Sequence, residues 1–148
     1  MVSTKGRYAL RLLIDMAEQE TDGFLPLREI AARQEISEKY LESIVKELVK
    51  AGILAGVRGK GGGYRLCRPP EQINVADILM QMEGTLAPVA CLENGAANCP
   101  RAAQCRTLGF WQGMDEVIRR YASGFTIADL IQRNGSRGGD DAHSVDRI

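Results

Sequence analysis

Residues 57–66, VRGKGGGYRL, constrain the fold more than any other part of this sequence. Four glycines lie around Arg58 and Lys60, and a short strand-like run lies on each side of them. Glycine allows the positive φ that a tight hairpin needs, so the segment predicts a β-hairpin with two cations near its tip. An ordinary glycine-rich hairpin is the alternative, and the preceding segments decide between the two.

Two short amphipathic helices are predicted directly before this hairpin. Pro26 lies near the start of the first, which has apolar residues on one face. Ser37 is a favourable N-cap for the second, which runs through Lys50 and ends at Gly52. Two helices joined by a tight turn and followed by a basic hairpin predict a winged helix-turn-helix domain, a DNA-binding unit.

The charge distribution agrees with a polyanionic partner. The 148 residues carry no formal net charge, but residues 39–68 contain seven lysines and arginines against two glutamates, a net charge of +5. Solvated lysines on helix faces are the alternative explanation for part of this excess.

The segments after the wing predict a dimer. Asn74 caps a short helix through Met82, and Thr126 starts a final helix through Ile131. Between them, residues 108–121 carry an apolar seam at intervals of three and four residues, formed by Trp111, Met114, Ile118 and Tyr121. We interpret this helix as the dimer interface, with burial against its own domain as the alternative. The predicted division is a winged domain over 1–84, a cysteine loop over 85–107, the dimerisation and terminal helices over 108–133, and a disordered tail over 134–148.

The loop contains three cysteines, Cys91, Cys99 and Cys105. Because no apolar run reaches the ~18 residues of a membrane span and the first residues do not resemble a signal peptide, we expect a cytoplasmic protein with no membrane association. A reducing compartment disfavours permanent disulfides, so metal binding or redox sensing is expected of these thiols. The fourth cysteine, Cys67, is interpreted as a small buried apolar residue.

Several strings together resemble the family of winged-helix regulators that includes IscR, NsrR and CymR, also called the Rrf-two family. They are STKGRYAL at 3–10, ISEKYLESIVKELVKAGIL at 36–54, VRGKGGGYRL at 57–66, the three cysteines, and FTIADLI at 125–131. The resemblance implies a mainly α fold with a small β-hairpin wing and a long C-terminal dimerisation helix. It also implies a homodimeric transcription factor, usually a repressor, that binds double-stranded operator DNA.

The resemblance also implies which residues meet DNA. The helix that begins near Ser37 would lie in the major groove, with Glu42 as a specificity residue, and Arg58 and Lys60 of the wing would enter or flank a minor groove. Lys5 and Arg7 would contact phosphates, with plain surface cations as the alternative. The other candidates of this set are Arg28, Ser37, Glu38, Lys39, Tyr40 and Lys46.

In several members of the family the three cysteines bind an iron-sulfur cluster, [2Fe–2S] or [4Fe–4S]. Both fourth ligands known from relatives are absent here, since the matching positions hold Leu108 and Arg7. The remaining candidates for a fourth ligand are Glu93, Asp115, Glu116, His143, and a small thiol or water from solution.

Other functions for the loop stay open. Cys99 and Cys105 could form a reversible disulfide, or the three thiolates could hold zinc. A cluster-free, CymR-like regulator of cysteine or sulfur metabolism, with a metabolic enzyme as partner, is a further alternative. An enzyme is not expected, because the sequence has no nucleophile with an adjacent base, no phosphate-binding loop ending in GK[ST] and no HExxH motif.

Overall fold

The computed structural model describes residues 1–19, 21–95 and 98–135, with side chains described as far as residue 132. The polar tail predicted from residue 134 lies outside these residues from 136 onward, as does His143. The elements, in chain order, are α1 (Thr4–Glu18), α2 (Leu27–Gln34), α3 (Glu38–Lys50), β1 (Leu54–Val57), β2 (Gly63–Leu66), α4 (Val75–Glu83), α5 (Leu108–Ser123) and α6 (Ile127–Gly135). The predicted fold class, mainly helical with a two-stranded hairpin, is confirmed.

The helices α3, α4 and α6 are capped at the starts that the sequence predicts. The side chains of Ser37 and Asn74 accept hydrogen bonds from backbone N–H groups of the first turns of α3 and α4. Thr126 and Asp129 cap α6 reciprocally, with N–H to side-chain distances of 2.8 and 3.2 Å. These caps satisfy backbone donors that a helix start leaves unpaired, which fixes each start at one residue.

The main core joins the first three helices to α4, the hairpin and α6. Its fully buried side chains include Leu12, Ile30, Leu41, Leu48 and Ile127. The backbone fixes α6 there as well, since the N–H of Ile127 bonds the carbonyl of Ile73 at 2.9 Å. The last helix therefore packs against α1 inside the winged domain rather than apart from it.

A buried carboxylate sets α2 against α1. Asp15 is only 3% exposed, and it accepts hydrogen bonds from Arg33 at 2.7, 3.1 and 3.2 Å and from Gln34 at 2.9 Å. The hydrogen bonds to Asp15 raise the pKa of Arg33 above its ordinary value. The next residue, Glu35, takes the left-handed conformation with φ of 54°, and this turn leads the chain into α3.

The hairpin pairs β1 and β2 in antiparallel register from Leu54–Leu66 to Val57–Gly63. A third segment reinforces it, because the backbone of Leu25 exchanges hydrogen bonds of 2.8 and 2.9 Å with Tyr64. None of the helices within the described ranges is long and apolar enough to cross a membrane.

Candidate nucleic-acid interface and cysteine loop

A cleft of about 520 Å³ lies between α3 and the hairpin. Three cations and two carboxylates that the sequence assigned to DNA contact line it together: Arg28, Glu38, Glu42, Lys46 and Arg58. All five side chains are exposed, so they are available to a ligand. A helix and a basic hairpin facing one cleft are the two elements by which winged domains meet duplex DNA.

The other predicted residues of α3 have different surroundings. The Ser37 hydroxyl accepts a hydrogen bond from the N–H of Tyr40 at 3.3 Å, so it caps the helix. The Tyr40 ring is half-buried and meets the Tyr8 ring edge-on, with centroids 5.7 Å apart. Lys39 is exposed. Ser37 and Tyr40 thus hold α3 in place, whereas the side chain of Lys39 is exposed to solvent.

The remaining predicted cations lie on α1 and on the wing. Lys60 is exposed near the hairpin tip, where Gly59 and Gly61 have positive φ. Lys5 is half-buried and forms an ion pair with Glu47 of α3, a partner that the sequence analysis did not identify. Arg7 is exposed, and its guanidinium donates to the Thr4 hydroxyl at 3.3 Å.

The cysteine loop is built from short 3₁₀ turns at Ala90–Leu92 and Ala102–Gln104. Cys91 and Cys105 are exposed, and Cys99 is half-buried. The Cys105 sulfur lies 3.4 Å from the Thr107 hydroxyl, and this hydrogen bond is the main cause that lowers the pKa of the Cys105 thiol.

The donor set fits a metal centre only in part. Three thiolates are the ligands that iron-sulfur clusters take. Among the described residues, however, no three side chains of cysteine, histidine, aspartate or glutamate lie together as they would around a metal ion. In the part of the loop that the structure describes, the three thiols are therefore not gathered around one point.

Cys67 differs from its predicted environment. It follows the last residue of β2, its N–H bonds the carbonyl of Ile53 at 2.9 Å, and its side chain is exposed. The interpretation of Cys67 as a buried apolar residue is therefore wrong. Beyond the end of a strand, the alternation of buried and exposed positions no longer applies.

The helix α5 has no buried residue along its 16 positions. Of the four seam residues, Met114 and Tyr121 are 37% and 53% exposed, whereas Trp111 and Ile118 are half-buried. Ile118 packs against a second apolar cluster of its own chain, formed by Val75, Ala76, Leu79, Leu86 and Phe125. The exposed stripe of α5 consists of Phe110, Met114, Val117 and Tyr121.

Sequence reasoning also missed Glu83, at the end of α4. Its carboxylate accepts hydrogen bonds from Ser3 and Gly6 at the start of α1, nearly 80 residues earlier in the chain. No local pattern signals a contact between residues so distant in sequence. The adjacent Gly84, whose φ of +76° ends the helix, is the only sequence mark of this position.

Comparison with known proteins agrees with this geometry. The Rrf2 family model, described as an iron-dependent transcriptional regulator, matches residues 2–133. Protein rrf2 of Nitratidesulfovibrio vulgaris is 37% identical over 131 residues, which cover 88% of this chain and 87% of that protein.

Two solved structures have the same architecture. CymR, the global cysteine regulator of B. subtilis, superposes with a TM-score of 0.73 at 32% identity, covering 90% of this chain and 97% of that one. T. potens IscR superposes with a TM-score of 0.73 at 32% identity, covering 95% and 93%. With a family model spanning nearly the whole described chain and a winged fold in common with its members, this chain belongs to the Rrf2 family of helix-turn-helix transcriptional regulators.

Proposed function

We propose that the chain acts as a homodimeric repressor whose operator binding responds to the chemical state of its three loop cysteines. The observation that carries the DNA-binding part is the cleft between α3 and the wing, into which three cations from separate elements project. α3 would lie in the major groove, and the wing would follow the adjacent minor groove.

Within this complex, the exposed residues take different tasks. Arg28 and Lys46 would contact phosphates, and Arg58 and Lys60 would enter or flank the minor groove, where narrow A·T tracts concentrate negative potential. Glu42 repels phosphate and can accept a hydrogen bond from the amino group of cytosine, so it would act on operator choice more than on affinity.

The α1 cations complete the phosphate contacts in this proposal. Arg7 is exposed at the first turn of the helix. Lys5 already pairs with Glu47, so its approach to a phosphate would exchange one anion for another. We therefore expect Arg7 to contribute more to affinity than Lys5.

The exposed apolar stripe of α5 supports the dimer. Four large apolar side chains at intervals of four, three and four residues face outward from one helix. Such a stripe matches a helix-helix seam, and a second copy of α5 is the occupant that gives a repressor two half-sites. Met114 and Tyr121 of the predicted seam belong to it, with Phe110 and Val117 beside them.

The cysteine loop is the proposed sensor because two of its three thiols are exposed to reactants. Cys91, Cys99 and Cys105 are the proposed ligands of an iron-sulfur cluster, with the fourth ligand unassigned. The alternative is metal-free: Cys99 and Cys105 would form a disulfide, giving two electrons and two protons to hydrogen peroxide, which is reduced to two waters. The similarity of the chain to CymR, a cysteine regulator, supports keeping this metal-free alternative as a second candidate.

The first experiment is purification of the full chain without oxygen, followed by visible absorption and iron, sulfide and zinc content per chain. A brown protein with sulfide, lost on replacing Cys91, Cys99 or Cys105 by alanine, would support the cluster. A colourless protein without iron or sulfide after attempted cluster reconstitution would refute it. Zinc content would then separate a metal-held loop from a free-thiol loop.

The DNA-binding part is tested by selecting duplexes from a randomised library and measuring their affinity against salt concentration. Each phosphate contact steepens the loss of affinity with salt by about one unit of log-log slope. We expect Arg28→Ala and Lys46→Ala to flatten the slope, and Glu42→Ala to change the selected sequence. Arg68→Ala removes an exposed cation outside the cleft and should change neither.

A further inference from the structure

The carboxylate of Glu83 caps the first turn of α1 from a different helix. One oxygen, Oε1, accepts hydrogen bonds from the Ser3 N–H at 2.9 Å, the Ser3 hydroxyl at 2.8 Å and the Gly6 N–H at 3.2 Å. The side chain of Ser3, the N-cap residue itself, makes no capping bond to its own helix. The start of α1 therefore depends on Glu83 for this cap.

With the Glu83 carboxylate in this position, a Cβ atom at residue 6 does not fit, and a side chain there would displace the flexible end of Glu83. A Cβ atom on Gly6 would lie 2.4 Å from Glu83 Oε1, closer than real Cβ contacts come. Gly6 is buried and Glu83 is half-buried, so the hydrogen bond from the Gly6 amide is partly sheltered from water, whereas the two bonds from Ser3 are exposed. The helix start and the carboxylate are thus matched to each other.

Glu83 also lies where the winged domain meets the cysteine loop. It is the last residue of α4, Gly84 ends this helix in the left-handed conformation with φ of +76°, and Thr85 begins the loop. A cleft of about 270 Å³ beside it is lined by Met1, Val2, Glu83, Thr85, Leu86, Pro88 and Ile118. The first residues of the chain, the start of the loop and α5 therefore meet around this one carboxylate.

On the other side, the first turn of α1 leads to the DNA-facing elements. Lys5 lies between Ser3 and Arg7 on this turn and pairs with Glu47 of α3. A continuous set of contacts thus runs from Gly84 through Glu83 to α1, and from Lys5 to the helix proposed to read DNA.

We propose that Glu83 is a positioning residue that transmits the state of the cysteine loop to the DNA-facing end of α1. A change in loop conformation displaces Gly84 and Glu83, which releases the amides of Ser3 and Gly6 and loosens the first turn that carries Lys5 and Arg7. The inference rests on the proposed function only in its last step, the effect on DNA. Its first step concerns the amide of Gly6 alone.

The test uses the full chain with Cys67→Ser, so that iodoacetamide alkylates only the three loop thiols. The exchange rate of the Gly6 amide is followed by NMR, and affinity for a library-selected duplex is measured with free and with alkylated thiols. We expect alkylation to speed Gly6 exchange and to change affinity by about tenfold, a common size for coupling between sites. In Glu83→Ala, Gly6 exchange should be fast in both states and the two affinities should agree within about twofold.

Three further variants sharpen the result. Gly6→Ala disrupts the same contact by placing a Cβ atom against the Glu83 carboxylate, and it should give the same exchange rates and affinities as Glu83→Ala. Glu83→Gln retains an acceptor oxygen without the charge and should lie between the wild type and Glu83→Ala. Gln81→Ala, an exposed change on the same helix, should behave as the wild type.

The outcomes separate the two proposals. If Glu83 had a purely structural role, Glu83→Ala would lower both affinities equally and keep their ratio, which would overturn the inference. An exchange rate of the wild-type Gly6 amide that does not change on alkylation would also overturn it. If alkylation speeds Gly6 exchange but affinity is unchanged, the loop-to-α1 step stands and sensing through DNA affinity, part of the proposed function, fails.

Discussion

The backbone of Gly63 lies directly against the carbonyl of Leu25, so that a Cβ atom on Gly63 would be 2.2 Å from that oxygen. This approach lets Leu25 and Tyr64 exchange their two hydrogen bonds and ties the wing to the segment before α2. The wing is therefore held from the side, and its angle to α3 depends on one residue having no side chain.

Gly63→Ala should detach the wing from Leu25. The close contact and the φ of +149° together should cost about 1–3 kcal/mol of unfolding free energy, measured by urea denaturation. DNA affinity should fall with it, because the wing cations lose their position. The matched control is Gly61→Ala, where φ is +77° but the surroundings are open. Equal losses in the two variants would show that strain, and not the contact with Leu25, causes the effect.

Glu35→Gly should stabilise the protein. Glu35 has φ of 54°, a conformation in which the Cβ atom of an L-residue is strained against the backbone, whereas glycine has no such strain. After allowance for the greater freedom of glycine in the unfolded chain, the gain should be about 0.5–1 kcal/mol. Glu35→Ala keeps the Cβ atom and should gain nothing. A loss of stability in Glu35→Gly would contradict this explanation.

Asp15→Ala should destabilise the junction of α1 and α2. The change removes the hydrogen bonds from Arg33 and Gln34 to a buried carboxylate, and because Arg33 is about one-third exposed, we expect a loss of roughly 2 kcal/mol. Because the pKa of Arg33 is raised, its guanidinium stays charged below the ordinary pKa of arginine and loses its charge only when the pH rises through the raised value. The difference between variant and wild type should therefore stay constant from pH 6 to 9, and a pH-dependent difference would refute the assignment to Arg33.

Cys105 should become reactive at a lower pH than an ordinary cysteine. The hydrogen bond to Thr107 lowers the pKa of the Cys105 thiol, so its thiolate, the reactive form, is present at lower pH than in an ordinary cysteine. In the metal-free protein, mass spectrometry should find Cys105 alkylated by iodoacetamide before Cys91, another exposed thiol of the loop. Thr107→Val keeps the shape, removes the hydroxyl and should slow Cys105 alone. An unchanged rate in Thr107→Val would exclude that hydroxyl as the cause.

Met114→Glu should dissociate the proposed dimer. It places a charge in the middle of the exposed apolar stripe of α5, where pairing of two copies would bury it. We expect at least about a hundredfold weaker dimerisation in sedimentation equilibrium, which corresponds to roughly 3 kcal/mol. Gln112→Glu adds the same charge at an exposed polar position of α5 and should leave the dimer intact. If Gln112→Glu dissociates it equally, the stripe is not the interface.

The helix starts and the hairpin could be predicted because their signals are local. Ser37 and Asn74 bond amides two or three residues away, and the glycines of the wing act on their own backbone. Such interactions depend only on neighbours in sequence, so a short stretch of sequence is enough to predict the helix start or the turn.

The contacts that assemble these elements could not be predicted. Asp15 meets Arg33 across 18 residues, and Glu83 meets Ser3 across 80. Each of these two carboxylates has many possible hydrogen-bond donors in the sequence, and only the packing of the helices selects among them. Ile118 is a similar case, because its periodicity fits the seam predicted for α5 as well as the face that packs against its own chain.

The burial of Ile127 in the core begun by Leu12 has a consequence for biosynthesis. A ribosome makes the chain from its first residue, so the winged domain stays unfinished until α6 has been made. The three cysteines leave the ribosome before α6 does, so they meet the surrounding solution while the core that supports α3 and the wing still lacks its last helix. A nascent chain of this kind is therefore open to thiol chemistry before it is able to hold an operator.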